Sequence, residues 1–245
     1  DGIRDLVRSR GLGDVYKRQQ LNEIVYRLIA ERRQSDVDHD DLLGMLMAAS
    51  DEQTGAGMDD RQLRDEVMTI FLAGHETTAN LLSFLWAQLS QNPTVRQQLH
   101  LEVDQVLAGR RPTVDDIPDL TVTNLIIQET LRLYPPAWII GRQAIEADNI
   151  GGYDIPAGSG VLISPFIMHR HPKYWTNPEG FDPWRFSGEP VEERPRYAFI
   201  PFGGGPRLCI GNNFALTEAA LVVAMIAQTY QLDLAPGYAV ELDPA

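Results

Sequence analysis

The sequence predicts a mainly α-helical protein with a small β-sheet, and three features of the chain support this prediction. Apolar residues recur three or four positions apart in several segments, which is the spacing of a helix face. One such segment, residues 59–91, is long enough to cross an entire domain. Residues 138–164 instead have the shorter period of strands, interrupted by glycine and proline turns.

The composition bounds the class of protein. The 245 residues are 44% apolar and 22% charged, which predicts one ordinary globular domain. A net charge of −13 argues against nucleic acid and against an anionic membrane surface as partners, because both would repel it. The single cysteine excludes an internal disulfide, so we expect a cytoplasmic location. No apolar run among these residues approaches the ~18 to 20 that span a bilayer, so we expect no membrane segment in them.

The first 19 residues differ from the rest and are interpreted as a non-native leader. They contain several arginines and a lysine, and they lack a sustained apolar period. They fit neither a signal peptide nor a transit peptide. The domain is therefore expected to occupy residues 20–245.

Two helices are predicted before the long one. The first begins at Gln20, and its apolar face consists of residues at helical spacing: Leu21, Ile24, Val25, Leu28 and Ile29. The second is short and follows Asp40 and Asp41; its apolar residues are Leu42, Leu43, Met45 and Leu46. Both are interpreted as packing elements.

The long helix should begin after Asp59, a residue type that caps helix N-termini, and should end before Pro93. Its middle, residues 73–78, has the sequence Ala-Gly-His-Glu-Thr-Thr and is polar where burial is expected. Gly74 costs about 1 kcal/mol relative to alanine, and a buried carboxylate is expensive unless it is paired or hydrated. Two interpretations remain open: a water-filled kink and a functional site.

Further elements follow in the second half of the chain. Asn92 and Pro93 should open a helix that Gly109 closes, and residues 121–134 should form another that two prolines end. Residues 138–145, 150–155 and 161–164 are predicted strands of one small sheet. The tail, residues 230–245, is expected to hold a short strand. A last helix should run from about Asn212 to Thr229 with an apolar face formed by Phe214, Leu221, Val222 and Met225.

A glycine-rich segment, residues 202–211 and called the cysteine loop below, carries the only cysteine. A helix beginning just after it and the nearby guanidinium of Arg207 would both favour the thiolate form of Cys209. A thiolate is a nucleophile or a metal ligand, and without a second cysteine a single protein–metal bond points to haem. The alternative is a small buried apolar side chain, the commonest role of a lone cysteine. A phosphate-binding loop would need a Gly-Lys-Ser/Thr ending, which the sequence lacks.

The cysteine loop matches the signature Phe-x-x-Gly-x-Arg-x-Cys-x-Gly position by position, at Phe202, Gly205, Arg207, Cys209 and Gly211. On these residues the chain resembles the haem-thiolate cytochrome P-450 family. The resemblance implies the cytochrome P-450 fold, mainly α with a small β-sheet, present here only in its carboxy-terminal portion and truncated at both ends. It implies a haem b (iron protoporphyrin IX) cofactor with Cys209 as the metal ligand and the other four residues around it.

The polar middle of the long helix resembles the oxygen-binding groove of the same family, Ala-Gly-x-Glu-Thr-Thr. The resemblance implies that Glu76 and Thr77 are catalytic and deliver protons to bound oxygen. It also implies a substrate pocket to which Ala73, Ala137, Ile139 and Ile140 contribute.

Three charged residues match the family's Glu-x-x-Arg and Pro-x-Arg-Phe elements, namely Glu129, Arg132 and Arg185. By itself a Glu-Arg pair three positions apart is usually a solvated surface pair. The resemblance implies instead a buried, salt-bridged structural triad. It also implies that Arg142 contacts a haem propionate, with a solvated strand arginine as the open alternative. His169 and His171 match the family's loop pattern, and no third ligand at a recognisable spacing supports a metal role for them.

The resemblance implies a monooxygenase that inserts one oxygen atom from O₂ into an apolar small-molecule substrate. Its electrons would come from a separate ferredoxin or reductase, because the sequence has no flavin or nicotinamide fingerprint. The alternatives are a peroxide-using or isomerising haem-thiolate enzyme, a non-catalytic haem-binding protein, and an inactive fragment. We expect the 245-residue chain alone to be inactive and to bind haem weakly or not at all, since the family's amino-terminal half roofs the pocket.

Overall fold

The computed structural model describes residues 19–35, 37, 39–188 and 194–241. The chain divides into two compact units, Asp1–Gly74 and His75–Ala245. The boundary lies within the longest helix. The predicted leader lies outside the described residues except for Gln19, which belongs to the first helix.

The first unit contains the helices that the apolar spacing predicted. Helix α1 spans residues 19–33, helix α2 spans Leu42–Ala48, and helix α3 (Asp60–Gln91) begins in this unit. The Asp41 side chain caps α2 by accepting a hydrogen bond from the Gly44 N–H. The buried core of the unit consists of Val25, Ile29 and Leu63.

Helix α3 has the predicted bounds, and Asp59 caps it by accepting a hydrogen bond from the Gln62 N–H at 2.7 Å. The helix is continuous through residues 73–78. The expected burial of this stretch is wrong, because residues 71–77 are exposed and only Thr78 is buried. Exposure removes the desolvation cost of Glu76, so the described residues need not offset it.

The second unit is built on the remainder of α3 and on four more helices: α4 (Pro93–Leu107), α5 (Thr121–Leu133), α6 (Pro165–Met168) and α7 (Asn212–Ala227). Its core joins buried side chains of α3, α4, α5 and α7. The predicted cap at Asn92 is wrong in one respect. Its side chain donates to the Gln88 carbonyl at the end of α3 and makes no capping bond to α4.

Helix α7 buries a different face from the one predicted. Its buried residues are small, namely Ala219, Ala220, Val223, Ala224 and Ala227. Phe214 and Met225, expected to face the core, are 73% and 50% exposed. The short side chains allow α7 to pack closely on α4 and α5. A search for large apolar residues does not identify this face of α7.

The strands form two antiparallel pairs among the described residues, whereas one sheet was expected. Strand β1 (Ile140–Gln143) pairs with β4 (Gly160–Ile163), and between them β2 (Asp148–Ile150) pairs with β3 (Tyr153–Ile155). A turn at Gly151 and Gly152, both with positive φ, divides the segment predicted as one strand. The tail shows no strand over residues 230–241, which are irregular, and the rest of the segment predicted to hold one, residues 242–245, lies outside the described residues. In the part of the chain that is described, no helix is both long and apolar enough to cross a membrane.

Candidate active site

The cysteine loop is held in shape by its own backbone. Two of its glycines have positive φ, +73° at Gly203 and +70° at Gly205, which only glycine adopts readily. Three backbone hydrogen bonds close the turns: Gly203 N–H to Ile200 C=O at 3.1 Å, Leu208 N–H to Gly205 C=O at 3.1 Å, and Cys209 N–H to Phe202 C=O at 3.0 Å. The loop therefore presents its cysteine from an ordered backbone.

The side chain of Cys209 is exposed, so the interpretation as a small buried residue is wrong. Its neighbours are apolar and also exposed: Leu208 to 50%, Ile210 to 96% and Phe214 to 73%. Helix α7 begins three residues later, and Gly211 at its N-cap has no side-chain capping bond. The described residues contain no group of three His, Cys, Asp or Glu side chains that could hold a metal. One exposed sulfur among exposed apolar side chains fits haem, a flat and largely apolar group that a single protein sulfur could ligate.

Strand β1 lies beside the cysteine loop. A Cβ atom built on Gly203 would be 3.6 Å from Cδ1 of Ile140, so the strand and the loop are in close contact. Arg142 is two residues further along β1 and therefore leaves the strand on the same face as Ile140. Its guanidinium is exposed and donates to the Gly141 carbonyl at 2.8 Å. Of the predicted pocket residues, Ala137 and Ile139 precede β1 and are exposed.

The remaining predicted catalytic and pocket residues lie on α3. Ala73 is exposed in the first unit, and Glu76 and Thr77 are exposed at the start of the second. All three belong to one continuous stretch of helix. Consecutive helix positions lie about 100° apart around the helix axis, so the side chains of Glu76 and Thr77 leave α3 in different directions.

The structure brings Glu129, Arg132 and Arg185 together in a buried ion-pair cluster. Glu129 and Arg132 have no exposed surface, and both Glu129 oxygens accept from Arg132, Nε to Oε2 at 2.7 Å and Nη2 to Oε1 at 2.8 Å. Arg185 Nε donates to Oε1 at 3.1 Å, and the backbone N–H of Asp182 donates to the same oxygen at 2.8 Å. The interpretation as a solvated surface pair is wrong for this arrangement.

Arg132 uses all five of its N–H groups. Two reach Glu129, and the other three donate to the carbonyls of His169 at 2.9 Å, Pro178 at 2.6 Å and Gly180 at 3.0 Å. A buried charge is tolerated only when it is paired and fully hydrogen-bonded, and this guanidinium meets both conditions. The cluster thereby ties α5 to the irregular segment that precedes the cysteine loop.

His169 is the buried residue that the sequence analysis missed. Its side chain has no exposed surface; Nδ1 lies 3.2 Å from the Arg132 carbonyl, and Nε2 accepts from the Ile200 N–H at 2.8 Å. Burial, reinforced by the positive charges of Arg132 and Arg170, lowers the pKa of His169 to about 4. Its match to the family's loop pattern is the signal in the sequence that points to a structural role.

Lowering the pH from 6.5 to about 4 is expected to reduce the free energy of unfolding by up to about 3 kcal/mol through His169 alone. In the unfolded state the imidazole of His169 takes up a proton near its ordinary pKa of 6.5. In the folded state it stays neutral until the pH falls to about 4. The unfolded state therefore binds more protons in this window, and stability falls as the pH falls. Urea unfolding at a series of pH values measures the slope of the free energy of unfolding against pH.

Two histidine variants provide the controls for this slope. His169→Gln should flatten it, and His171→Asn, at an exposed neighbour, should leave it unchanged. Carboxylates add to the loss of stability at lower pH. A hydrogen bond from Arg32 lowers the pKa of Asp41 from 3.8, and one from Arg110 lowers the pKa of Asp116 from the same value. A full slope between pH 6.5 and 4 in the His169→Gln variant would contradict the assignment.

Comparison with known proteins adds a family match. The model of the family described as cytochrome P450 matches residues 10–244. Cyclooctatin synthase of Streptomyces melanosporofaciens is 43% identical over 95% of this chain and 50% of its own length. Cyclooctat-9-en-7-ol 5-monooxygenase of the same organism is 44% identical over 89% of this chain and 48% of its own length.

Solved structures agree with the sequence matches. The crystal structure of the cytochrome P450DA heme domain superimposes with a TM-score of 0.85 at 39% identity, covering 90% of this chain and 49% of that one. The chain thus spans about half the length of the relatives that it matches.

Proposed function

The chain belongs to the cytochrome P450 family, and from that premise we propose that the protein to which it contributes is a haem-thiolate monooxygenase. The reaction inserts one oxygen atom of O₂ into an apolar small-molecule substrate and releases the other as water. The single observation that carries the proposal is the exposed Cys209 sulfur, presented by an ordered loop among exposed apolar side chains.

When bound, haem b supplies O₂ binding and reductive activation, and a thiolate ligand favours O–O cleavage. The protein's part is to hold and orient the group. Cys209 provides the ligand sulfur, and the other signature residues form the surface beside it: Phe202, Gly205, Arg207 and Gly211. The position of Arg142, on the β1 face that touches the cysteine loop, supports a contact from its guanidinium to a haem propionate.

The proton and substrate roles are assigned to residues of α3 and of the segment leading into β1. Glu76 and Thr77 relay protons to the reacting oxygen, and their exposure leaves them open to ordered water. Ala73, Ala137, Ile139 and Ile140 contribute apolar surface to the substrate pocket. Glu129, Arg132 and Arg185 act as scaffold, because the side-chain hydrogen bonds that the structure describes for them join protein groups before the cysteine loop.

Electron delivery is assigned to a separate ferredoxin or reductase. Arg207 lies in the cysteine loop, Arg194 and Arg196 lie shortly before it in the sequence, and their positive charges suit an acidic partner. The single cysteine is compatible with a cytoplasmic location.

The carbon monoxide difference spectrum of the reduced full-length protein tests the proposal. A long-wavelength Soret band is the expected result, since it requires a thiolate ligand to the haem iron. Its absence from a correctly folded, haem-containing protein would leave the non-catalytic alternatives.

Replacing Thr77 by alanine is expected to uncouple the reaction, so that NAD(P)H consumption continues while product per electron pair falls by about 100-fold or more, the contribution of a typical proton-transfer group. Product yield against NAD(P)H oxidised is the measurement. Ser83→Ala is the matched control, because it removes one hydroxyl from the same helix, bonded to the Ala79 carbonyl. Unchanged coupling in Thr77→Ala would favour the peroxide-using or isomerising alternative.

A further inference from the structure

We propose that His169 is a positioning residue, which ties the backbone at Ile200, two residues before the cysteine loop, to Arg132 of the buried ion pair and thereby places Cys209. The inference rests on the proposed function only for the identity of the group that Cys209 binds. The placement of the loop itself is argued from hydrogen bonds and burial.

The two ring nitrogens of His169 have opposite requirements. Nδ1 faces the carbonyl oxygen of Arg132 at 3.2 Å, so it must carry a hydrogen and donate. Nε2 faces the N–H of Ile200 at 2.8 Å, so it must offer a lone pair and accept. Only the neutral imidazole with its hydrogen on Nδ1 satisfies both partners. An added proton would place two donors, Nε2–H and the Ile200 N–H, against each other.

His169 also binds the ion pair through its backbone. Its carbonyl accepts a hydrogen bond from Arg132 Nη1 at 2.9 Å, while its ring donates to the Arg132 carbonyl. The two residues are thus joined in both directions. The ring packs on Phe199 with the centroids 5.1 Å apart, which restricts its rotation. These contacts fix the imidazole relative to α5.

A short series of backbone hydrogen bonds connects the His169 imidazole to Cys209. Ile200, whose N–H the ring accepts, uses its own carbonyl to accept from Gly203 N–H at 3.1 Å. Gly203 follows Phe202, whose carbonyl accepts from Cys209 N–H at 3.0 Å. The segment from Ile200 to Cys209 is therefore anchored at its start by His169 and closed on itself. Among the contacts that the structure describes, this ring is the side-chain anchor at Ile200.

The charged groups around the ring favour the neutral state. Arg132 on α5 and Arg170, which follows His169, both carry positive charge near the imidazole. Glu129, the nearest carboxylate of the cluster, is already bonded to Arg132 and Arg185. The neighbouring aromatic residues Phe199 and Trp175 carry no charge. The backbone carbonyls of Arg132 and Leu131 favour a protonated ring, but burial and the two arginine charges outweigh them, and the imidazole stays neutral.

The test uses the full-length, haem-loaded protein and three variants. His169→Phe keeps a ring but removes both hydrogen bonds, and His169→Gln keeps one donor and one acceptor on its terminal amide. Trp175→Phe is the matched control. Trp175 is 1% exposed in the same aromatic cluster, and its indole N–H has no hydrogen-bond partner among the described residues, so trimming it perturbs packing without removing a described hydrogen bond to the loop.

Amide hydrogen exchange at Gly203 and Cys209 is the first readout, compared at matched global stability. Exchange in His169→Phe should be at least 10-fold faster than in Trp175→Phe, and His169→Gln should recover part of the difference. The carbon monoxide complex of His169→Phe should also lose part of its long-wavelength Soret band to a shorter-wavelength one. Wild-type exchange at both amides in His169→Phe would reduce His169 to a packing residue and overturn the proposal.

A second readout needs no variant and so does not depend on whether His169→Phe folds. Nitrogen-15 NMR of the wild-type imidazole at neutral pH should show the neutral ring with hydrogen on Nδ1. A ring with hydrogen on Nε2, or a charged ring, would overturn the proposal. Failure of the proposed function would look different: the wild-type protein would lack the long-wavelength band while the exchange and NMR results remained as expected.

Discussion

Replacing Glu129 by alanine is expected to destabilise the protein by about 3–5 kcal/mol, the cost of removing one partner from a buried ion pair. Arg132 has no exposed surface, so its guanidinium would keep its charge without a counterion. Arg185 Nε and the Asp182 N–H would lose their acceptor at the same time. A loss of this size is a large fraction of the total stability of a domain. Equilibrium unfolding in urea, followed by circular dichroism, measures it.

Glu179 provides a matched control for the Glu129 experiment. It is also a glutamate paired with an arginine, Arg170, at 3.1 Å, but its side chain is 73% exposed. Glu179→Ala should therefore cost at most about 1 kcal/mol. Glu129→Gln should fall between the two, since the amide keeps one oxygen acceptor. Equal losses at Glu129 and Glu179 would mean that burial does not decide the energetics of the cluster.

Replacing Cys209 by serine is expected to abolish the long-wavelength Soret band of the full-length protein. Monooxygenase turnover should fall by more than about 100-fold, because even the outer partners of a metal ligand are worth 10- to 100-fold. Serine is close to cysteine in size but does not provide the thiolate that gives this band. Because the Cys209 side chain is exposed, the substitution should leave the fold intact. Carbon monoxide difference spectroscopy and product analysis are the measurements.

Tyr197→Phe is the control for a nonspecific change near the cysteine loop. The Tyr197 ring lies against Gly204, and the substitution keeps that ring while removing only its hydroxyl. Its spectrum should match the wild type. A long-wavelength band that persisted in Cys209→Ser would exclude Cys209 as the ligand and, with it, the proposed function.

Local backbone chemistry was enough to predict most helix ends. Asp59 before α3, Pro93 at the start of α4 and the prolines after α5 act through hydrogen bonds and torsion angles within a few residues of themselves. The cysteine loop was identified in the same way, because its glycines, its cysteine and the helix start after it are consecutive in the chain. Such signals can be identified in the sequence because they do not depend on what packs around these residues.

Tertiary structure decided what each face meets. Periodicity states which residues share a side of a helix, but not what covers that side. The expected burial of residues 71–77 and the expected core face of α7 were therefore wrong. The ion-pair cluster and the ring of His169 depend on partners 31 to 56 residues apart. Arg185 reaches Glu129, and Ile200 reaches His169, only because the chain folds back. For Glu129, Arg132 and Arg185 the resemblance of two short motifs to the family implied a buried triad, which helical spacing alone did not; for His169 and Ile200 no local pattern predicted the hydrogen bond.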